Sequence, residues 1–186
     1  AGYVSASMGK WHLGNDPGHG PVGQGFDVNV GGYEAGSPRS YFSPYKNPEL
    51  KDGPKGEYLT DRLTDEALKF IEANRNRPFF LYLPHSAVHF PIYHGKDFQG
   101  KSNNGIYGDW VEEVDWSVGQ ILDTLKAQGI DEDTFVIFTS DNGGTHGSVA
   151  PLRGGKGTLY EGGLRVPAFV AGPGVPAQRV SDVPIS

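Results

Sequence analysis

No cysteine occurs anywhere in the 186 residues, which excludes disulfides and thiolate metal sites within this stretch. Nor does any segment approach the roughly 18 unbroken apolar residues that a membrane-spanning helix needs. Positive charge is in short supply, with 16 Lys and Arg against 22 Asp and Glu and a formal charge of −6. That balance argues against nucleic acid as a partner. It also means that any anion site must be built from a few local cations working against the overall field. Repeats and low-complexity linkers are missing too. Gly (28) and Pro (14) are abundant, a composition that suggests disorder where aromatics are scarce. Ten Phe, nine Tyr and three Trp instead indicate a loop-rich globular protein, long enough for one full domain. The chain opens Ala1-Gly2-Tyr3 with no initiator Met, basic n-region or apolar h-region, and it stops abruptly at Val183-Pro184-Ile185-Ser186. We therefore expect an internal fragment of a longer protein.

Period signals mark the organisation. Tyr58 to Asn74 reads as a helix, with Leu59, Leu63, Ala67, Phe70 and Ile71 at three- and four-residue steps. Thr60 is its expected N-cap, Asp61 and Asp65 suit the early turns, and Pro78 enforces the stop. Phe79 to Leu83 then reads as a strand buried on both faces. Gly105 to Gln128 reads as a longer helix with Trp110, Val114, Ile121, Leu122 and Leu125 along one side and Gly129 as its C-terminal cap. Thr134 to Thr139 and Val166 to Ala171 are two further expected buried strands. This alternation predicts an α/β fold with a largely parallel sheet. Asn15 to Gly56, rich in Gly, Pro, Tyr and Asn, reads as a long surface excursion that shapes substrate access.

Ligands gather at the carboxyl ends of strands in such sheets, and several chemical constellations fall there. Asp141-Asn142-Gly143 closes a strand with two hard oxygen donors suited to Ca²⁺ or Mg²⁺, although a plain Asx turn would use the same residues. In Met8-Gly9-Lys10-Trp11-His12-Leu13-Gly14, an extended backbone would point Lys10 and His12 to one side and Trp11 into packing. The ordinary alternative is a surface strand with a snorkelling Lys and a core-edge His. His85 and His89 follow the first strand, where an imidazole can donate a hydrogen bond or serve as general acid. A structural His is the competing reading for each, and Pro91, which fixes the loop, favours His89. Lys156 sits on the Gly-rich stretch 153–163, which lacks P-loop spacing but lets backbone approach an anion closely. Glu161 and Arg165, four apart, are expected to pair with each other. His85 and His146 receive no assigned role.

Taken together and in order, Gly-Lys-Trp-His-Leu-Gly, His-x-x-x-His-x-Pro, Ser-Asp-Asn-Gly and Gly-Lys-Gly-Thr-x-Tyr-Glu-Gly-Gly-x-Arg-Val-Pro resemble the type I sulfatases of the alkaline phosphatase superfamily. The arylsulfatase A and N-acetylgalactosamine-6-sulfatase branches look nearest. The resemblance implies an alkaline phosphatase-like, mostly parallel sheet flanked by helices, with residues 1–186 as the central part of one catalytic domain. It also implies hydrolysis of sulfate esters by a formylglycine made from Cys or Ser in a Cys/Ser-x-Pro-x-Arg motif, beside Ca²⁺. By resemblance Asp141 and Asn142 supply half of the calcium ligands, and Lys10 and Lys156 clamp the sulfate oxygens. His12 contacts the formylglycine hydrate, and His89 binds sulfate or assists the leaving oxygen. His89 or Lys156 would protonate the departing alcohol, and His12 would deprotonate the remaining hydroxyl to expel sulfate. This stretch holds neither the nucleophile motif nor an upstream Asp pair, so the expectation is that it would not turn over substrate by itself. The resemblance further implies a sulfated carbohydrate as substrate, and export to the periplasm or beyond. Two rivals are a phosphonate or phosphodiester hydrolase of the same superfamily and a non-catalytic anion-binding relative. Transition-metal pairs serve the former; here Lys10, His12 and Lys156 stand in for a second metal's charge.

Overall fold

The three- and four-residue apolar steps after Tyr58 become α1 (Leu59–Asn74) in the computed structural model, and all five predicted positions, Leu59, Leu63, Ala67, Phe70 and Ile71, are buried. Residues 2–14, 16 and 18–181 are described; the expected abrupt ends at Ala1 and 183–186 lie outside them. Thr60 is not the N-cap. Tyr58 holds that position with extended backbone, and Thr60 is buried inside the first turn, where its carbonyl accepts a 2.8 Å hydrogen bond from Thr64 Oγ1.

The chain divides into two compact units, residues 1–128 and 129–186. In the first, β1 (Val4–Met8) lies between β2 (Val28–Val30) and β3 (Phe79–Tyr82) in an all-parallel sheet. Ala6 is the register point, paired with Val28 on one side and Leu81 on the other. α1 covers one face, where Ala67 and Phe70 pack on Ala6, Met8, Phe79 and Leu81. The other face is open: Phe80 and Tyr82 are 53% and 44% exposed, with Phe26 stacked over them at 6.0 and 6.2 Å. The strand expected to be buried on both faces is thus covered on one, because within this unit the helices lie on a single side.

α2 (Gly105–Ala127) packs on α1 and ends where Gly129 takes φ 68°, a left-handed turn that glycine adopts without a Cβ penalty. Its inward side differs from expectation. Trp110 and Leu125 are buried, yet so are Asp109, Glu113 and Ser117, while Leu122 is exposed. Apart from β2, the described residues between 16 and 56 are irregular but are not a mere excursion: Tyr41, Tyr45 and Leu50 join Tyr58, Leu59, Leu63 and Trp110 in the main core. Aromatic rings let a Gly- and Pro-rich path contribute large apolar area from isolated positions. Each buried phenol also finds an acceptor. Tyr45 donates to Glu57 Oε2 at 2.7 Å and Tyr58 to the Tyr93 carbonyl at 2.7 Å.

In the second unit β4 (Val136–Thr139) and β5 (Ala168–Ala171) pair antiparallel, Thr139 opposite Ala168. The two strands expected to be buried are instead largely exposed, notably at Ile137, Phe169 and Val170. β5 starts two residues later than predicted because Pro167 has no N–H for a ladder. α3 (Glu161–Leu164) is a single helical turn.

Between α1 and α2, the Gly95 N–H donates to both Glu113 oxygens, at 3.1 and 2.8 Å. Asp61 Oδ2 faces the same point, 3.5 Å from where a Cβ on Gly95 would sit. Burial, then the charges of Asp61 and Asp97 against the Gly95 N–H, raises the Glu113 carboxyl. Burial likewise raises Asp61, with Asp97, Asp65 and Glu57 adding to it. The folded pair keeps a proton that the unfolded chain releases above about pH 4. Its stabilisation is therefore complete below that value and is lost as pH rises toward neutrality. The melting temperature should fall from about pH 5 to about pH 8, and Glu113→Gln, whose amide oxygen still accepts the Gly95 N–H, should flatten the slope. An unchanged slope would remove the pair as its source.

Candidate active site

β1 stops at Met8, and the next residues are gripped by the extensions of both neighbouring strands. The Gly9 N–H donates to the Val30 carbonyl at 2.9 Å, Lys10 N–H to Pro84 at 2.8 Å and His12 N–H to Tyr33 at 3.1 Å. Gly9 sits at φ 126°, and a Cβ there would run into the Pro84 carbonyl, so only glycine fits. This path delivers Lys10 and His12 to the carboxyl end of the parallel sheet, where such folds bind ligands. The expected strand alternation does not hold past Met8. His12 takes φ 59°, so its direction is set by a left-handed turn and not by a shared strand face with Lys10. Trp11 does turn into packing: its Nε1 donates to the His19 carbonyl at 2.6 Å and its ring meets Phe26 edge-on.

The His12 ring lies on Gly36, where a Cβ would come within 2.5 Å of Cε1. One residue further on, Ser37 Oγ is 3.1 Å from His89 Nδ1, which is also 3.0 Å from the Phe90 carbonyl. The segment after β2 thus touches both imidazoles. Lys10 lines a small crevice beside them with Gly9, Tyr33, Pro38 and Ser86. Tyr41 holds the loop after β3 by donating to the carbonyls of Ser86 and His89 at 3.1 and 2.8 Å. His85 behaves differently. Its Nε2 is 3.4 Å from buried Ser117 Oγ, its Nδ1 is buried without a partner, and burial pushes the imidazole down to about 4. It is a neutral structural residue near pH 7.

In the second unit Asp141, Asn142 and Gly143 follow β4 directly. Neither the Asp141 carboxylate nor the Asn142 carboxamide is tied up by a hydrogen bond within the described residues. Two hard-oxygen donors at a strand end are of the type that binds Ca²⁺ or Mg²⁺. No group of three or more His, Cys, Asp and Glu placed to hold a metal occurs among the described residues, so the pair would need further ligands. The loop is held against the Gly-rich segment: Gly143 N–H donates to the Gly163 carbonyl at 3.0 Å, and Lys156 N–H to Gly144 at 3.2 Å. A Cβ on Gly143 would meet the Gly162 carbonyl. Lys156 is exposed on this turn. Arg153 instead lies over the Tyr160 ring at 3.8 Å, and Arg165 pairs with Glu161 at 3.8 Å as expected.

Reading the sequence alone misses Gly36 and Ser37, because a Gly-Ser in a Gly-rich loop carries no periodic signal. Tyr41 is missed for the same reason.

The parallel sheet of the first unit thus carries an ammonium and two imidazoles at its carboxyl end. The sulfatase family profile matches residues 1–186, and the chain belongs to that family. N-acetylgalactosamine-6-sulfatase of Canis lupus familiaris is 42% identical over 97% of this chain and 40% of its own length. Steryl-sulfatase of Homo sapiens is 43% identical over 73% of this chain and 26% of its own. Among solved structures, Ps i-CgsB in complex with k-i-k-neocarrahexaose matches with a TM-score of 0.79 at 31% identity, covering 93% of this chain and 45% of that one. The PsFucS1 sulfatase from Pseudoalteromonas sp. matches with a TM-score of 0.74 at 29% identity, covering 91% and 42%. The chain spans about 40% of the length of the N-acetylgalactosamine-6-sulfatases it matches.

Gly9→Ala should cost about 2–4 kcal/mol in urea unfolding, from the left-handed φ and the backbone collision together. Gly56→Ala is the control, with φ 85° and nothing near its Cβ, and should cost only about 1 kcal/mol. Equal costs would mean that the Pro84 contact adds nothing.

Proposed function

We propose that the full-length protein hydrolyses O-sulfate esters of a carbohydrate and that this chain is the central part of its catalytic domain. The observation that carries the reading is the delivery of Lys10, His12 and His89 to the carboxyl end of a sheet in a sulfatase-family chain. The part-length match to relatives and the open apolar strand faces of both units support a larger domain. Relatives named for N-acetylgalactosamine-6-sulfate chemistry and a neighbour crystallised with a neocarrahexaose support a sugar substrate.

Cleavage of a sulfate monoester builds negative charge on the equatorial and leaving oxygens, and fixed cations there lower the barrier. Lys10 and Lys156 are the ammonium groups assigned to those oxygens. His89 delivers a proton to the leaving oxygen or binds sulfate, and His12 takes a proton from the hydroxyl that remains. Asp141 and Asn142 would hold Ca²⁺, which when bound supplies positive charge to a formylglycine nucleophile from outside this segment. No helix among the described residues is long and apolar enough to cross a membrane, and we place the enzyme outside the cytoplasm, where sulfated glycans are met.

In the full-length protein Lys156→Ala should lower kcat about 100-fold or more, and a calcium chelator should abolish turnover until Ca²⁺ is returned. Unchanged kcat would take Lys156 out of the site. A panel of sulfated mono- and oligosaccharides tests the substrate class; activity on an aryl chromogen alone would count against a glycan. A chain that binds sulfate esters without cleaving any would instead be a non-catalytic relative.

A further inference from the structure

The geometry points to Gly36-Ser37 as a positioning brace for both imidazoles, with Ser37 joining the Phe90 carbonyl at His89 Nδ1 and leaving Nε2 free for substrate. This rests on the sulfatase reading for its catalytic meaning, though not for its structural content. The Phe90 carbonyl, 3.0 Å from His89 Nδ1, can only accept, so Nδ1 carries the hydrogen. Ser37 Oγ at 3.1 Å is then a second acceptor for the same N–H. Nε2 makes no hydrogen bond within the described residues. In the neutral ring Nε2 offers a lone pair. In the protonated ring it offers a proton.

Both partners are held independently of any ligand. On the Ser37 side, Tyr33 OH donates to the Ser37 carbonyl at 3.4 Å, and Arg39 lies over the Tyr33 ring at 5.6 Å while pairing with Glu34 at 3.5 Å. On the His89 side, its own N–H donates to the Ser86 carbonyl at 3.0 Å. Tyr41 OH donates to the His89 and Ser86 carbonyls, and burial keeps that phenol protonated. Gly36, immediately before Ser37, yields its side-chain space to the His12 ring. One turn of loop therefore sets the positions of both rings, and hence the distance between acid and base, before substrate arrives.

The test compares wild type, Ser37→Ala and Ser37→Thr in the full-length protein, with His89 assigned in ¹⁵N-histidine spectra at about pH 8, where an ordinary imidazole is neutral. Wild type should show the Nδ1–H tautomer, and Ser37→Ala should keep it through the Phe90 carbonyl but shift the Nδ1 resonance, because one of two acceptors is lost. On a sulfate ester, Ser37→Ala should lower kcat about tenfold with KM changed by less than about twofold. Ser37→Thr, which keeps the hydroxyl, should restore both the spectrum and kcat. An Nε2–H tautomer in wild type, or ring signals that Ser37→Ala leaves unmoved, would overturn the brace. If wild type cleaves no sulfate ester, the sulfatase reading fails, and the tautomer measurement still decides the brace.

Discussion

The first unit depends on one close approach, that of Gly9 to the Pro84 carbonyl. A parallel sheet ends with unsatisfied backbone groups at its carboxyl edge, and something must pair with them. Here the chain leaving β1 does so, threading between the ends of β2 and β3 and bonding to Val30, Pro84 and Tyr33 in turn. That route exists only because Gly9 has no side chain and tolerates φ 126°. Lys10, His12 and the loop carrying His89 are all placed by those same backbone bonds. The backbone that carries the chemistry-bearing groups is thus positioned by main-chain hydrogen bonds.

The second unit uses the same device with different residues. Gly143 lies against the Gly162 carbonyl, Gly155 against Gly144, and Gly163 against Gly155 and Thr158. Backbone packs on backbone wherever a Cβ would intrude. Thr158 closes the turn by donating to the Gly155 carbonyl at 2.8 Å. The Asp141–Asn142 pair and Lys156 are carried by two segments fastened to each other in this way. The glycines matter here for what they leave out.

Those glycines, the motif order and both long helices were legible in the sequence, because each leaves a local signature in spacing or residue type. Burial was less legible. Apolar runs at β3, β4 and β5 predict strands correctly but not their exposure, since coverage depends on which elements lie opposite. Asn15 to Gly56 hides its contribution to the core because Tyr41, Tyr45 and Leu50 follow no period; their burial is set by partners far along the chain. Glu113 was invisible for a related reason. A carboxylate on a helix reads as a solvent-facing residue, and only the Gly95 N–H and Asp61 opposite it explain its burial. Alternation puts Lys10 and His12 on one side only within a strand, and β1 ends at Met8.

His85 and His89 show why residue type alone could not divide structural from chemical roles. Both sit on one loop, four residues apart. Thr64 spends its hydroxyl hydrogen on the Thr60 carbonyl, so the 2.6 Å contact between Thr64 and Ser117 must use the Ser117 hydrogen. Ser117 Oγ is then an acceptor, and His85 Nε2 is the nitrogen that carries a proton toward it. The buried lone pair at His85 Nδ1 has no partner, and protonating it would place an uncompensated charge in the core. That relay ends at a helix carbonyl and has nowhere to pass a proton. His89 is the opposite tautomer: its Nδ1 is committed to two oxygens and its Nε2 is left open. Which nitrogen the surrounding groups claim decides which histidine can do chemistry, and that is a property of the fold that no spacing in the sequence encodes.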